Sequence, residues 1–172
     1  MRRFFVSVLE IFEVALVAVG AVFLIRSFLI QPFLVSGSSM APNFSNGDYL
    51  LIDEVTYRFR PPERGEVVVF RYPNGPSTYY IKRIVGLPGE EVDINNNKVT
   101  VRNNANPEGF ALGEKYLPKS VYTSGSSKFQ LKSDEYLLLG DNRSYSFDSR
   151  SWGPLEAKHI IGLVRLRLWP VN

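Results

Sequence analysis

Three segments of the chain gather side chains able to do chemistry. Ser36-Gly37-Ser38-Ser39-Met40-Ala41-Pro42 offers three hydroxyls beside a glycine and a proline. Tyr80-Ile81-Lys82-Arg83-Ile84 sets a lysine among apolar neighbours. Gly140-Asp141-Asn142-Arg143-Ser144-Tyr145-Ser146-Phe147-Asp148-Ser149-Arg150 is dense in hydrogen-bonding groups and follows an apolar run. Each also has a plain reading: a flexible linker, an ordinary exposed lysine, and a turn with salt links. A serine hydroxyl becomes a nucleophile only beside a general base. The chain has one histidine, His159, and no cysteine, which excludes thiol nucleophiles, thiolate zinc sites, disulfides and multi-histidine metal centres. A Ser-His-Asp arrangement would draw on Ser39, Asp141 or Asp148, and His159. It lacks both Gly-x-Ser-x-Gly and an alternating βα pattern. His159, beside Lys158, reads instead as a surface or loop residue. Ser-Lys chemistry remains, because an apolar site lowers a lysine's pKa toward neutrality and makes the amine a base. In a half-buried strand Lys82 shares a face with Tyr80 and Ile84 while Arg83 points the other way. Alternation alone equally allows an exposed Lys82 with Arg83 half-packed.

The elements that must carry these residues are unevenly distributed. The chain has 172 residues, a net charge of +3, 45% hydrophobic and 22% charged residues, which describes one folded domain. That charge is too small to argue for nucleic acid. From Phe4 to Val35 the only charges are Glu10, Glu13 and Arg26, and Val14 to Ile25 is uninterrupted apolar sequence. That run spans roughly 18 Å as a helix, but Ile11 to Ile30 reaches about 30 Å, enough for a bilayer core. Glu13 and Arg26 then lie near its ends, where charges snorkel to the headgroups. Arg2 and Arg3 favour a cytoplasmic amino terminus. Residues 1–31 are therefore expected to be a membrane anchor. A cleaved signal ending at Ala18-Val19-Gly20 and a buried core helix are the competing readings. Pro32 is expected to stop the helix.

After Pro32 short runs rich in Val, Ile, Tyr and Leu, bounded by Gly, Pro, Asn and Asp, predict strands. They are Tyr49–Val55, Glu66–Tyr72, Thr78–Val85, Lys98–Arg102, Glu135–Leu139 and Ile160–Leu168. In the last, Arg165 and Arg167 are expected on one face and Val164, Leu166 and Leu168 on the other. Asn95-Asn96-Asn97 predicts a hairpin turn that needs positive φ. Residues 103–128 read as a long polar excursion, a length usually tied to function. Mainly antiparallel β structure, as a barrel or sandwich over 32–172, is the expected fold.

Taken together, the three chemical segments resemble type I signal peptidases. Gly37-Ser38-Ser39-Met40-Ala41-Pro42 is similar to that family's Gly-x-Ser-Met-x-Pro motif, and Tyr80 to Gly89 to its lysine box. Gly140 to Arg150 is similar to its Gly-Asp-Asn-Arg…Ser-x-Asp-Ser-Arg box, and Gly47-Asp48-Tyr49 and Arg64-Gly65-Glu66-Val67-Val68 fit boxes between them. The resemblance implies Ser39 as nucleophile, Lys82 as general base, Ser146 as the residue that orients the lysine amine, and Asp148 and Arg150 as structural supports. It implies no cofactor and no metal. Its expected substrates are precursor proteins bearing signal peptides, with small residues at the first and third positions before the cut. It further implies one membrane pass, the catalytic domain lying on the extracytoplasmic side. The chain departs from the pattern at Asn43, where threonine is usual, and at Gly37, where some members have a serine hydroxyl assisting the oxyanion hole. Ser144-Tyr145 also replaces a more polar pair. Two other functions are weighed: a self-cleaving Ser-Lys repressor, which would need an amino-terminal helix-turn-helix, and a membrane-anchored β scaffold whose dyad has lapsed.

Overall fold

Period-2 patterning survives folding: β2 (Tyr49–Asp53), β5 (Glu91–Asn95) and β6 (Lys98–Asn103) alternate buried and less buried side chains. These belong to a computed structural model that describes residues 10–21, 30–75 and 77–169. The other strands are β1 (Ile30–Leu34), β3 (Val67–Arg71), β4 (Tyr79–Gly86), β7 (Asn106–Ala111), β8 (Ser127–Gln130), β9 (Glu135–Leu139), β10 (Leu155–Glu156) and β11 (Ile160–Trp169). Helix α1 covers 10–21 and α2 is the single turn Ser149–Trp152. A seven-stranded sheet runs β1-β2-β11-β3-β4-β9-β10 and a four-stranded sheet runs β7-β6-β5-β8, with antiparallel pairings throughout.

The expected barrel does not form. β1 and β10 are the two edges of the large sheet, so the sheet stays open. β10 has only two residues, too few to carry a hydrogen-bond ladder round to β1. The expectation of mainly antiparallel β structure holds, and the two sheets share a core. Val85, Leu137 and Leu139 of the large sheet join Val92, Ile94, Val99 and Val101 of the small one in a single buried cluster. Each such side chain contributes about 1.5–3 kcal/mol on burial. Where the sheets approach, Gly86 leaves no room for a side chain: a Cβ there would sit 2.7 Å from Val92 and 2.9 Å from Leu137. A second cluster, with Phe70, Ile84, Leu138 and Leu155, packs against the Trp152 ring of α2.

Local chemistry explains where the strands differ from the pattern. β2 stops at Asp53 because its Oδ1 accepts from the Val55 and Thr56 N–H groups, each at 2.9 Å, starting a 3₁₀ turn at Thr56–Arg58. Asn96 and Asn97 have φ of 50° and 62°, as the hairpin requires. The expected two-faced β11 is broken by bulges between Val164 and Leu166 and between Arg167 and Trp169. Leu166 and Leu168 therefore end up exposed, while Arg167 turns to Asp48 at 3.2 Å. Part of the excursion is ordered as β7, paired with β6. β1 lies outside the expected strands, because Ile30 and Gln31 fall within the expected anchor. Pro32 sits opposite Leu51 on this edge strand, where a missing N–H costs no ladder bond.

In α1 the side chains of Ile11, Phe12, Val14, Leu16, Val17 and Val19 are all 63–70% exposed, so this helix packs against none of the β body. The buried-helix reading fails over these residues. Among the described residues no helix is long and apolar enough to cross a membrane. The expected membrane helix falls in part on residues 1–9 and 22–29, which lie outside the described residues.

Candidate active site

Ser39 lies in the turn that follows β1, a turn closed by Ala41 N–H to Ser38 O at 3.1 Å and Phe44 N–H to Met40 O at 2.9 Å. Met40 anchors it in the core at 1% exposure. Lys82 comes from β4, opposite Val68 of β3. β9 pairs with β4 only from Arg83 onward, so Tyr79 to Lys82 keep one free edge. Alternation left the side of Lys82 open; the fold buries it, at 2% exposure. The Ser39 hydroxyl and the Lys82 amine are hydrogen-bonded at 2.7 Å, and Nζ also donates to Ile81 O at 2.9 Å. Burial pushes the lysine down from 10.5 to about 8, with the charges of Asp148 and Asp141 pulling partly back. The amine is therefore able to be neutral near physiological pH while touching the serine.

The third segment supplies the frame. Asn142 donates its N–H to Ser39 O and its carboxamide to Ser38 O, both at 3.0 Å. Gly140 is needed because a Cβ there would lie 2.5 Å from Ser39 O and 2.1 Å from Ser146 Oγ. Ser146 is thus beside the turn that carries Ser39, and its buried hydroxyl makes no hydrogen bond with Lys82. Asp148 caps α2, and Arg150 grips its carboxylate through Nε and Nη2, each at 2.8 Å. The Gly140 N–H adds a third contact at 3.0 Å. Burial alone would raise the Asp148 pKa, but these donors hold it below the ordinary carboxylate value. His159 sits in the 3₁₀ turn Ala157–His159 and takes no part in this network.

Several participants escaped the sequence reading. Arg83, on the opposite face of β4 from Lys82, binds Asp141 through Nε at 2.8 Å and Nη2 at 2.6 Å, and stacks on the Tyr116 ring at 4.0 Å. Arg143, fully enclosed, donates Nε to Gly140 O at 3.0 Å and reaches Glu114 and Thr123. The excursion over 103–128 is thereby tied to the site rather than free of it. The available signal was charge inside an otherwise apolar strand; what it lacked was a partner, since Asp141 lies 58 positions away.

A cleft of about 110 Å³ opens at Ser39 and Lys82, lined by Phe33, Val35, Ser36, Leu50, Val69, Tyr80 and Ile81. Its lining is largely apolar and includes the hydrogen-bonded Ser39 and Lys82. A wider cleft of about 450 Å³ lies by Asn43, Arg83 and Arg167, away from the Ser39 hydroxyl. Among the described residues the Ser39 N–H donates to no protein acceptor, whereas the Gly37 N–H is taken by Asn46 Oδ1 at 2.9 Å. The arrangement is suited to attack of a hydroxyl on a carbonyl, with a backbone N–H donor beside the Ser39 side chain.

Residues 8–169 match the family described as signal peptidase, peptidase S26. The chain is 37% identical over 169 residues to the probable signal peptidase I-2 of Synechocystis sp., covering 95% of this chain and 74% of that protein. It is 36% identical over 156 residues to the signal peptidase I of Leptolyngbya laminosa, with 86% and 73% covered. A crystal structure of a signal peptidase I from Enterococcus faecalis superimposes with a TM-score of 0.51 at 24% identity, covering 62% of this chain and 98% of that one. That last likeness is one of fold.

Proposed function

As this chain belongs to the signal peptidase family, peptidase S26, and is a signal peptidase hydrolase, we propose that it cuts signal peptides from precursor proteins with Ser39 and Lys82 as a catalytic dyad. The observation that carries this reading is the 2.7 Å contact between a serine hydroxyl and a lysine amine at 2% exposure. Neutral Lys82 accepts the Ser39 proton as Oγ attacks the scissile carbonyl. The Ser39 N–H stabilises the oxyanion of the tetrahedral intermediate. Collapse breaks the C–N bond, and Lys82 gives its proton to the leaving amine. Lys82 then takes a proton from water, which hydrolyses the acyl-enzyme and regenerates the serine. Asp148 and Arg150 hold the frame, and Ser146, packed against Gly140, orients the lysine amine. The extended substrate adds along the free edge of Tyr79 to Lys82. The small cleft favours small side chains beside the cut.

The amino-terminal segment is the membrane anchor in this reading, with a single pass, a cytoplasmic amino terminus and an extracytoplasmic catalytic domain. Its support is the apolar run of Val14 to Ile25 and the apolar side chains of α1, which face away from the protein. The test is precursor cleavage in detergent by wild type, Ser39→Ala and Lys82→Ala. Both variants should lose at least about a thousandfold in kcat while keeping the fold. Retained cleavage by either one overturns the dyad.

A further inference from the structure

The carboxamide of Asn43 holds the trailing end of the nucleophile turn. Its Nδ2 donates to Asp141 Oδ2 at 2.7 Å and to Tyr116 O at 2.9 Å. The two acceptors come from different parts of the chain, the loop after β9 and the excursion after β7. Neither is free to follow a displaced turn. Asp141 is fully buried and already forked by Arg83, and the Tyr116 ring is stacked under the same guanidinium. The leading end of the turn is held separately by Asn142, through Ser38 O and Ser39 O.

These contacts close a ring. Lys82 is covalently next to Arg83, Arg83 binds Asp141, Asp141 accepts from Asn43, and Asn43 leads back through Pro42, Ala41 and Met40 to Ser39, which touches Lys82. A shift of the turn must therefore break a link of the ring or lengthen the serine–lysine contact. We propose that Asn43 is a positioning residue for the nucleophile, its carboxamide fixing the turn so that the Ser39 hydroxyl stays within hydrogen-bond reach of the Lys82 amine. The proposal rests on the reading of Ser39 and Lys82 as the dyad. It also gives a physical meaning to the departure at this position. A carboxamide nitrogen carries two N–H donors on one atom and serves both acceptors at once. A threonine hydroxyl has one donor and can serve Asp141 alone. An aspartate has none and would set a second carboxylate against Asp141.

The experiment measures kcat and KM for precursor cleavage by the full chain in detergent, per folded molecule by circular dichroism, for wild type, Asn43→Ala, Asn43→Thr, Asn43→Asp and Ser39→Ala. Asn43→Ala is expected to lower kcat by at least about tenfold with KM within about twofold, since sub-ångström misplacement acts on the chemical step. Asn43→Thr is expected to recover to within about threefold of wild type, and Asn43→Asp to be no faster than Asn43→Ala. A kcat for Asn43→Ala within about twofold of wild type overturns the proposal, as does Asn43→Thr no better than Asn43→Ala. If Asn43→Ala does not fold, the Thr and Asp variants carry the same contrast, and equal rates for those two overturn it. An inactive Ser39→Ala beside a fully active Asn43→Ala removes only the positioning role. An active Ser39→Ala removes the dyad reading itself.

Discussion

The two sheets of this protein use the same charged residue types to opposite effect. Around the site, Asp141 and Asp148 are fully buried and each is gripped by one arginine through two nitrogens. On the small sheet, Glu91 is approached by Arg102 at 2.7 Å and by Lys128 at 2.8 Å, distances just as short, with the cation side chains 35% and 61% exposed. Distance alone would rank these pairs as equals. Burial separates them, because removing one member of a buried pair strands a charge in a low dielectric, whereas water replaces the partner of an exposed one. Charge near Ser39 and Lys82 is buried and paired; charge on the small sheet is a solvated face.

Breaking the frame should give the largest effect. Asp148→Asn leaves Arg150 without its counter-ion and sets an NH2 donor against the Gly140 N–H or the Arg150 guanidinium, and is expected to cost about 3–5 kcal/mol in urea unfolding. Because the folded pKa of Asp148 is depressed, the stability it contributes is present above the ordinary carboxylate value near 3.8 and is lost as pH falls through the lower folded value. A cost within about 0.5 kcal/mol would erase the distinction between the two regions.

A change in pH tests the site without touching the fold. With the Lys82 pKa at about 8 and only its neutral form competent, kcat/KM should rise with pH through that value. Between pH 8 and pH 6 it should fall by roughly fifty-fold. A profile flat across that range would show that this amine is not the base.

Smaller again is Gly140→Ala, whose methyl meets Ser39 O and Ser146. The loop must shift, so a drop of about tenfold in kcat is expected, with destabilisation of about 1–3 kcal/mol. An active, equally stable variant would mean that the loop is not tightly set against the nucleophile turn. At the bottom of the scale, Lys128→Ala on the small sheet should leave both cleavage and the unfolding midpoint unchanged; a clear loss in either would make the exposed network part of the frame after all.

Much of the β body was legible because period-2 patterning and turn chemistry act locally. Glu135–Leu139 was read to the residue, and the Asn96 and Asn97 turn followed from side chains that tolerate positive φ. The misses have a common cause. β1 looked like the tail of an apolar segment, since a five-residue edge strand containing proline has no local signature. The bulges in β11 insert residues that the alternation cannot foresee, and they send Leu166 and Leu168 outward. The open sheet, in place of a barrel, was decided by a two-residue β10.

The same division runs through the site. By itself the sequence determined which chemistry was available: no cysteine, a single histidine, and three segments holding serine, lysine and an Asp–Arg pair, so that lysine was the base expected for Ser39. It also determined the family, through motifs in their proper order. Only the tertiary structure decided that both faces of β4 are covered here, Lys82 toward Ser39 and Arg83 toward Asp141, since a strand's two faces are equivalent until other layers cover them. Only the folded chain brings Asn43, Asp141 and Tyr116 together, because hydrogen bonds spanning 73 and 98 positions carry no local signal. Residue type and spacing set what the protein is able to do, and burial decides which of those groups are held ready to do it.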